Sequence, residues 1–253
     1  MNRFLLPHLE RLPYFRALLR SVESVYYEDL PLPEPVYDLG CGDGLFAALT
    51  FPRAITVGLD PSRASIREAR GLGTYRLLTQ ADACCAPFPA ASFASAFSNS
   101  VLEHIPNIDD VLRETSRLLK RGAPFYFCVP NPRYLESLSL TRVFGRAYAD
   151  WFRRLTRVAH LDDAQVWQAR LERAGFELVR EWSYFSPAAM RVLEWGHYFG
   201  LPSLLARLLT GRWILSAAKW NLWLTAKLIE RQASSAPVDN GAFTFYVARR
   251  RSG

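Results

Sequence analysis

The sequence is poor in cysteine, with four in 253 residues. No two are spaced as a CxxC pair, so neither a zinc site nor a redox dithiol is expected. Cys84 and Cys85 are chain neighbours, which rarely bridge each other, and Cys41 and Cys128 read as small core residues. No cluster of His, Cys, Asp and Glu has metal-ligand spacing, so no metal dependence is expected. The apolar stretch near the start (MNRFLLPH) is too short for a signal peptide and lacks a small-residue cleavage site. A cytoplasmic protein is therefore expected. No low-complexity tract or repeat is visible, which excludes solenoids and arrays. Charged residues make up 22% against 50% apolar, a globular balance that excludes a disordered chain.

What is present is length enough for a large core, read here as one domain over residues 1–253. The net charge of +7 is unevenly placed. Residues 1–185 hold 22 Lys/Arg and 21 Asp/Glu, whereas residues 186–253 hold nine and three. A nucleic-acid partner is not implied by so local an excess. It points instead to one surface that meets anions such as phosphate, acidic substrate or lipid headgroups.

Apolar periodicity predicts a helix over 13–29, with Pro13 in its first turn. Short apolar runs predict strands at Val36–Leu39, Ala54–Leu59, Thr74–Thr79, Phe93–Ser98, Pro124–Val129, Phe176–Ser183 and Phe243–Arg249. Helices are expected between most of them: after Gly44, from a Ser62 cap to about Arg70, from an Asn107 cap to Lys120, and from an Asp162–Gln165 capping box to Gly175. This alternation implies a mostly parallel sheet covered by helices on both faces.

The first strand stops in Asp38-Leu39-Gly40-Cys41-Gly42-Asp43-Gly44. Glycines there let a backbone approach a nucleotide-like ligand closely. A dinucleotide fingerprint needs a third small residue where this chain has Leu45, which counts against a nicotinamide-dependent oxidoreductase. Asp60 ends the second strand 22 residues after Asp38, where a carboxylate can accept both ribose hydroxyls. Asp82 follows 22 residues later in Gln80-Ala81-Asp82-Ala83, and Ser98-Asn99-Ser100-Val101-Leu102-Glu103-His104 follows the fourth strand. An Asx-turn is the plain alternative for Asp82.

These motifs, in this order over residues 36–130, resemble the class I S-adenosylmethionine-dependent methyltransferases, in particular those related to ubiquinone and menaquinone biosynthesis enzymes. The resemblance implies a Rossmann-like α/β fold with a mostly parallel seven-stranded sheet, an added N-terminal helix and a C-terminal helical insertion. It implies S-adenosylmethionine as cofactor and methyl transfer as the reaction, without naming the acceptor; the Trp-rich basic segment near the C-terminus points to a small, hydrophobic or lipid-linked one. It places Asp38, Gly40, Cys41, Gly42 and Gly44 at the methionine end, Asp60 at the ribose, and Pro61, Ser62, Asp82 and Ala83 at the adenine. Ser98 and Asn99 fall beside the amino group and sulfonium. His104 is the candidate catalytic base, or a capping His in the strand–helix turn. Residues 1–34 form the expected helical lid. Tyr14, Tyr26 and Tyr27 on it, with Tyr134 and His160, are candidate acceptor contacts, or packing residues.

Two segments exceed a minimal core. Residues 131–158 carry arginines and aromatics, read as a substrate-side insertion or as an amphipathic helix with a solvated basic face. Residues 186–235 carry Trp195, Trp213, Trp220 and Trp223 among many leucines, with Arg212, Ser216, Lys219, Lys227 and Arg231 as a narrow polar stripe. The lysines argue against a membrane span. A peripheral membrane contact, a homodimer surface, a lid, or plain packing on the sheet all fit. A non-catalytic S-adenosylmethionine-binding protein on the same scaffold is the alternative to an enzyme.

Overall fold

The computed structural model describes residues 2–214 and 218–252, with Leu201, Pro202 and Lys219 as backbone alone. The strands are β1 (Val36–Leu39), β2 (Ile55–Asp60), β3 (Tyr75–Gln80), β4 (Ser95–Asn99), β5 (Pro124–Pro130), β6 (Phe176–Tyr184) and β7 (Phe243–Arg250). They form a sheet in the order β3-β2-β1-β4-β5-β7-β6, parallel except that β7 runs antiparallel to both neighbours. The expected mostly parallel seven-stranded sheet is present. Strand order reverses at β1, which lies between β2 and β4. Crevices for ligands open at such a switch, beyond the carboxyl ends of the strands.

A parallel strand covered on both faces reads as a continuous apolar run, and β5 shows how the run divides. Phe125, Phe127 and Val129 enter one core, and Tyr126 and Cys128 the other. The first core is closed by α5 (Ile108–Leu118) and α8 (Ala164–Arg173). Trp167 of α8 is fully buried, its ring 5.1 Å from Phe127 and 5.9 Å from Tyr246. Truncating it to alanine costs about 3–5 kcal/mol.

The opposite core takes α1 (Leu5–Leu9), α2 (Tyr14–Glu28), α3 (Leu45–Thr50), α6 (Arg133–Glu136), α7 (Thr141–Leu155), α9 (Pro187–Phe199) and α11 (Lys219–Ile229). Beyond these, α4 (Arg63–Leu72) packs on β2 and β3, and α10 (Leu201–Thr210) continues from α9.

Several sequence expectations are corrected. The fourth strand begins at Ser95 rather than Phe93, because Phe93 bridges to Leu119 while Ala94 N–H donates to Pro35 O. The cap of α8 is Asp163, whose side chain accepts from Val166 N–H at 2.9 Å. Asp162 instead pairs with Arg170 at 3.1 Å. Asn107 precedes α5 without a side-chain cap bond. Residues 186–235 fold as α9, α10 and α11, while Ser216 of the expected polar stripe lies outside the described residues.

Candidate active site

The glycine-rich turn joins β1 to α3. Gly40 has φ +78°, and a Cβ there would collide with the Val101 side chain. Gly42 has φ +56°, and a Cβ there would meet nothing within 4 Å, so the turn presents bare backbone to open space. Gly40 and Cys41 N–H donate to Leu59 O, and Gly42 N–H donates to Asp60 Oδ2 at 3.0 Å. The other Asp60 oxygen accepts from Ser62 N–H at 2.8 Å. Asp60 thus ties the turn to the start of α4. Each oxygen keeps lone-pair capacity for a further donor.

Asp38 is buried beneath the turn and accepts from the Tyr75 hydroxyl at 2.6 Å. Burial pushes its carboxyl up to about 7, against the pull of that hydrogen bond.

A cavity of about 470 Å³ opens beside this turn. Its lining includes Asp38, Gly40, Cys41, Gly42, Asp60 and Asn99. From the N-terminal helices it includes His8, Leu12, Arg16 and Arg20. A second cavity, about 1010 Å³, adjoins it and shares Arg16, Arg20, Asp60, Ser100, His104 and Trp213. Its other walls are mainly apolar, among them Phe15, Leu19, Tyr134, Leu155, Val158 and Leu193.

The roof over both cavities is α2, fastened by Glu23. This carboxylate is fully buried, pairs with Arg20 at 2.7 Å, and accepts from Asn99 Nδ2, Ser100 Oγ and the Tyr184 hydroxyl at 2.9–3.0 Å. A buried carboxylate is tolerable only with such a shell. Arg20 also donates to Asn99 Oδ1. Ser100 sits at φ +49°, a conformation a non-glycine residue holds only where its surroundings fix it.

His104 lines both cavities. Its Nδ1 lies 2.9 Å from Arg157 O, and because a carbonyl can only accept, Nδ1 carries the proton. In the neutral ring the Nε2 lone pair is then free, and burial lowers the ring's pKa, favouring that neutral form.

Glu103 is a functional candidate that sequence reasoning passed over. It lines the larger cavity, is buried, and its Oε2 has no hydrogen-bond partner among the described residues. Burial pushes its carboxyl up to about 8. Two more were missed. His8 turns an unpartnered Nδ1 in the wall of the smaller cavity, and His197 lines the larger one. Only the Leu102-Glu103-His104 run offered a sequence signal, through adjacency; lone histidines offered none.

Other expectations are corrected. Tyr27 is fully buried, donates to Ser98 O at 2.8 Å and does not line the cavities. Tyr26 donates to Ser235 O and packs on Trp182 and Tyr184. Tyr14 packs edge-on against Phe15, and it is Phe15 that reaches the cavity. His160 Nε2 is held by Ile105 O at 3.0 Å, fastening a loop. Ser98, whose backbone was the expected contact, accepts at its carbonyl from the Tyr27 hydroxyl and turns its own hydroxyl to Leu39 O. Gly44, Pro61, Ser62, Asp82 and Ala83 lie outside the cavity linings. Asp82 forms the Asx-turn, accepting from Cys84 N–H at 2.8 Å, and Ser62 caps α4. In the 131–158 segment Tyr134 and Leu155–Val158 reach the larger cavity, whereas Arg133 and Arg142 face a separate surface groove.

Residues 37–127 match the family described as "Methyltransferase domain". The match runs from β1 into β5, and this core is similar to methyltransferases. Over 123 residues the chain is 31% identical to a malonyl-[acyl-carrier protein] O-methyltransferase of Legionella pneumophila, covering 46% of this chain and 43% of that one. It is 32% identical over 116 residues to a sterol 4-C-methyltransferase of Caenorhabditis elegans, covering 42% and 35%. The chain therefore matches less than half the length of either relative. The fold of a SAM-dependent methyltransferase from Thermotoga maritima superposes with a TM-score of 0.59 at 17% identity, covering 98% of this chain and 94% of that one.

Proposed function

We propose that the protein transfers the methyl group of S-adenosylmethionine to a small apolar acceptor carrying a proton-bearing heteroatom. The observation that carries this reading is the pair of adjoining cavities, one at the glycine-rich turn and one that sets Phe15, Leu19, Leu193 and Phe243 against Glu103, His104 and His197. Bare backbone at Gly42, the Asp60 carboxylate beside it and the unpartnered His8 Nδ1 suit a ligand with ribose hydroxyls and an amino-acid end. Bound there, S-adenosylmethionine supplies an electrophilic methyl group. Asp60 would take the ribose hydroxyls. Arg16 and Arg20 would meet the carboxylate.

The remaining work belongs to the larger cavity. Its apolar side chains would orient the acceptor beside the polar ones, and well-oriented reactants gain about 7–11 kcal/mol. Glu103 and His104 hold the two lone pairs that can take an acceptor's proton there. Open space beside Asn99, Ser100 and His104 supports an enzyme over a non-catalytic binding protein. The relative named for a sterol supports an apolar acceptor body.

Titration calorimetry with S-adenosylhomocysteine and with NAD tests the reading. Binding of the first and not the second is expected, weakened about tenfold to a hundredfold by Asp60→Ala and less by Asp60→Asn. Folded protein that ignores S-adenosylhomocysteine, or binds it equally well after Asp60→Ala, overturns the reading.

A further inference from the structure

Helices on a protein surface normally keep an outward polar face. Here the outward faces of two helices are apolar. On α10, Leu204, Leu205, Leu208 and Leu209 are all exposed, Leu209 at 84%. Spacings of one and four put them on one side. On α11, Leu222, Ala226 and Ile229 are buried, and the rest of the helix still offers Trp220, Trp223, Leu224 and Leu228 to the outside, Trp220 at 73%. That helix is apolar on two sides, and only one of them is used.

The apolar surface extends beyond these helices. Ring contacts at 5.8–6.5 Å connect Phe144 and Trp151 of α7, through Tyr148 and Tyr198, to Trp195 at the end of α9. Trp195 stacks on Phe199, which leads directly into α10. Leu155 of α7 is exposed and also lines the larger cavity, so this surface reaches the cavity wall.

Positive charge borders it. Arg133, Arg142 and Arg191 surround a groove of about 320 Å³, with Arg142 next to the exposed Val143 and Phe144. Glu136 is the acidic residue in that lining, and no carboxylate among the described residues lies within ion-pair distance of the three guanidinium groups. Of the three acidic residues after position 185, Glu194 is buried.

We propose that α7, α9, α10 and α11 dock the protein on an anionic lipid bilayer, with their exposed leucines and aromatics at the headgroup–acyl boundary and the arginines on the headgroups. Two features select a bilayer over a second copy of the chain. A second copy joined through the same helices would bring this border little counter-charge, since Asp150 pairs with Arg146, Glu194 is buried and Glu230 pairs with Lys227. Tryptophan and leucine edged by arginine is the composition of an interfacial helix. Docking would be peripheral. The ten residues of α10 and eleven of α11 reach only about 15 Å, half a bilayer core, and no helix among the described residues is long and apolar enough to cross. The inference does not depend on methyl transfer, since vesicle binding needs no turnover.

Vesicle flotation of the whole chain is the test, with phosphatidylcholine alone and with equimolar phosphatidylcholine and phosphatidylglycerol. Flotation is expected with the mixed vesicles and falls with added salt. Leu208→Ser/Leu209→Ser and Trp220→Ser/Trp223→Ser should each weaken it about tenfold or more. Arg142→Glu/Arg191→Glu should reduce binding to mixed vesicles. All three double variants should keep the wild-type circular-dichroism spectrum and a cooperative thermal transition, which shows that they fold. No flotation with either vesicle, or wild-type flotation by both apolar double variants, overturns the proposal. So does a dimer in sedimentation that these variants dissolve, if wild type does not float.

Discussion

Glu103 carries the sharpest consequence at the scale of single residues. Its carboxyl is raised to about 8 by burial, with Arg20 pulling it down, Glu23 pushing it up, and His104 beside it. If it takes the acceptor proton, kcat rises with pH through about 8 and flattens above. Glu103→Gln should then remove that rise and lower kcat about 10²–10⁴-fold. The same shift has a sign in stability. A carboxyl raised in the folded state binds more protons folded than unfolded, so its contribution declines as pH rises from the ordinary Glu range through about 8. Denaturation at pH 5 and pH 8 should show Glu103→Gln gaining on wild type by about 1–3 kcal/mol across that window. Gly40→Ala combines φ +78° with a collision against Val101. Chemical denaturation should find it less stable by about 1–3 kcal/mol. Motif reading singled out Gly40, Asp60 and His104, which line the smaller cavity, because turn chemistry and strand ends are local. It passed over Glu103 because burial without a partner is a property of surroundings. It chose Tyr27 wrongly for a related reason. Arg16, Arg20, Glu23 and Tyr27 share one helix stripe, but the stripe passes from the cavity at Arg20 to the core beneath Ser98 at Tyr27.

Among the elements, α2 depends most on what lies across from it. Arg20→Met would leave Glu23 buried without its cation, a loss of about 3–5 kcal/mol. Adding Glu23→Gln should restore part of it, and hydrogen exchange in α2 should follow the same order. The α8 cap separates adjacent aspartates. Asp163→Ala should cost about 1 kcal/mol in thermal or chemical unfolding, and Asp162→Ala should leave the cap bond intact. The alternation of strands and helices was legible because a two-residue period, a 3.6-residue period and glycine or proline breaks are all local signals. Ends were less so. Phe93 continues the apolar run of β4 in sequence, yet it pairs with Leu119, a partner 26 residues away.

For the whole molecule, ligand linkage gives the broadest check. S-adenosylhomocysteine at about 100 times its Kd should stabilise the fold by about 2.7 kcal/mol, a rise in Tm of roughly 5–10 °C. An unchanged Tm would exclude a site that forms on folding. The sequence by itself determined the sheet class, the glycine-rich turn, Asp60 at the end of β2, and the basic bias of the C-terminal quarter. Each of these follows from neighbours in the chain, through side-chain period, backbone freedom and charge count. Tertiary structure alone decided that Glu23 gathers Arg20, Asn99, Ser100 and Tyr184, that Glu103 faces a cavity without a partner, and that α11 leaves one of its two apolar sides uncovered. Those outcomes depend on which distant groups meet and which surfaces stay open, and desolvation acts on that final arrangement rather than on the order of residues.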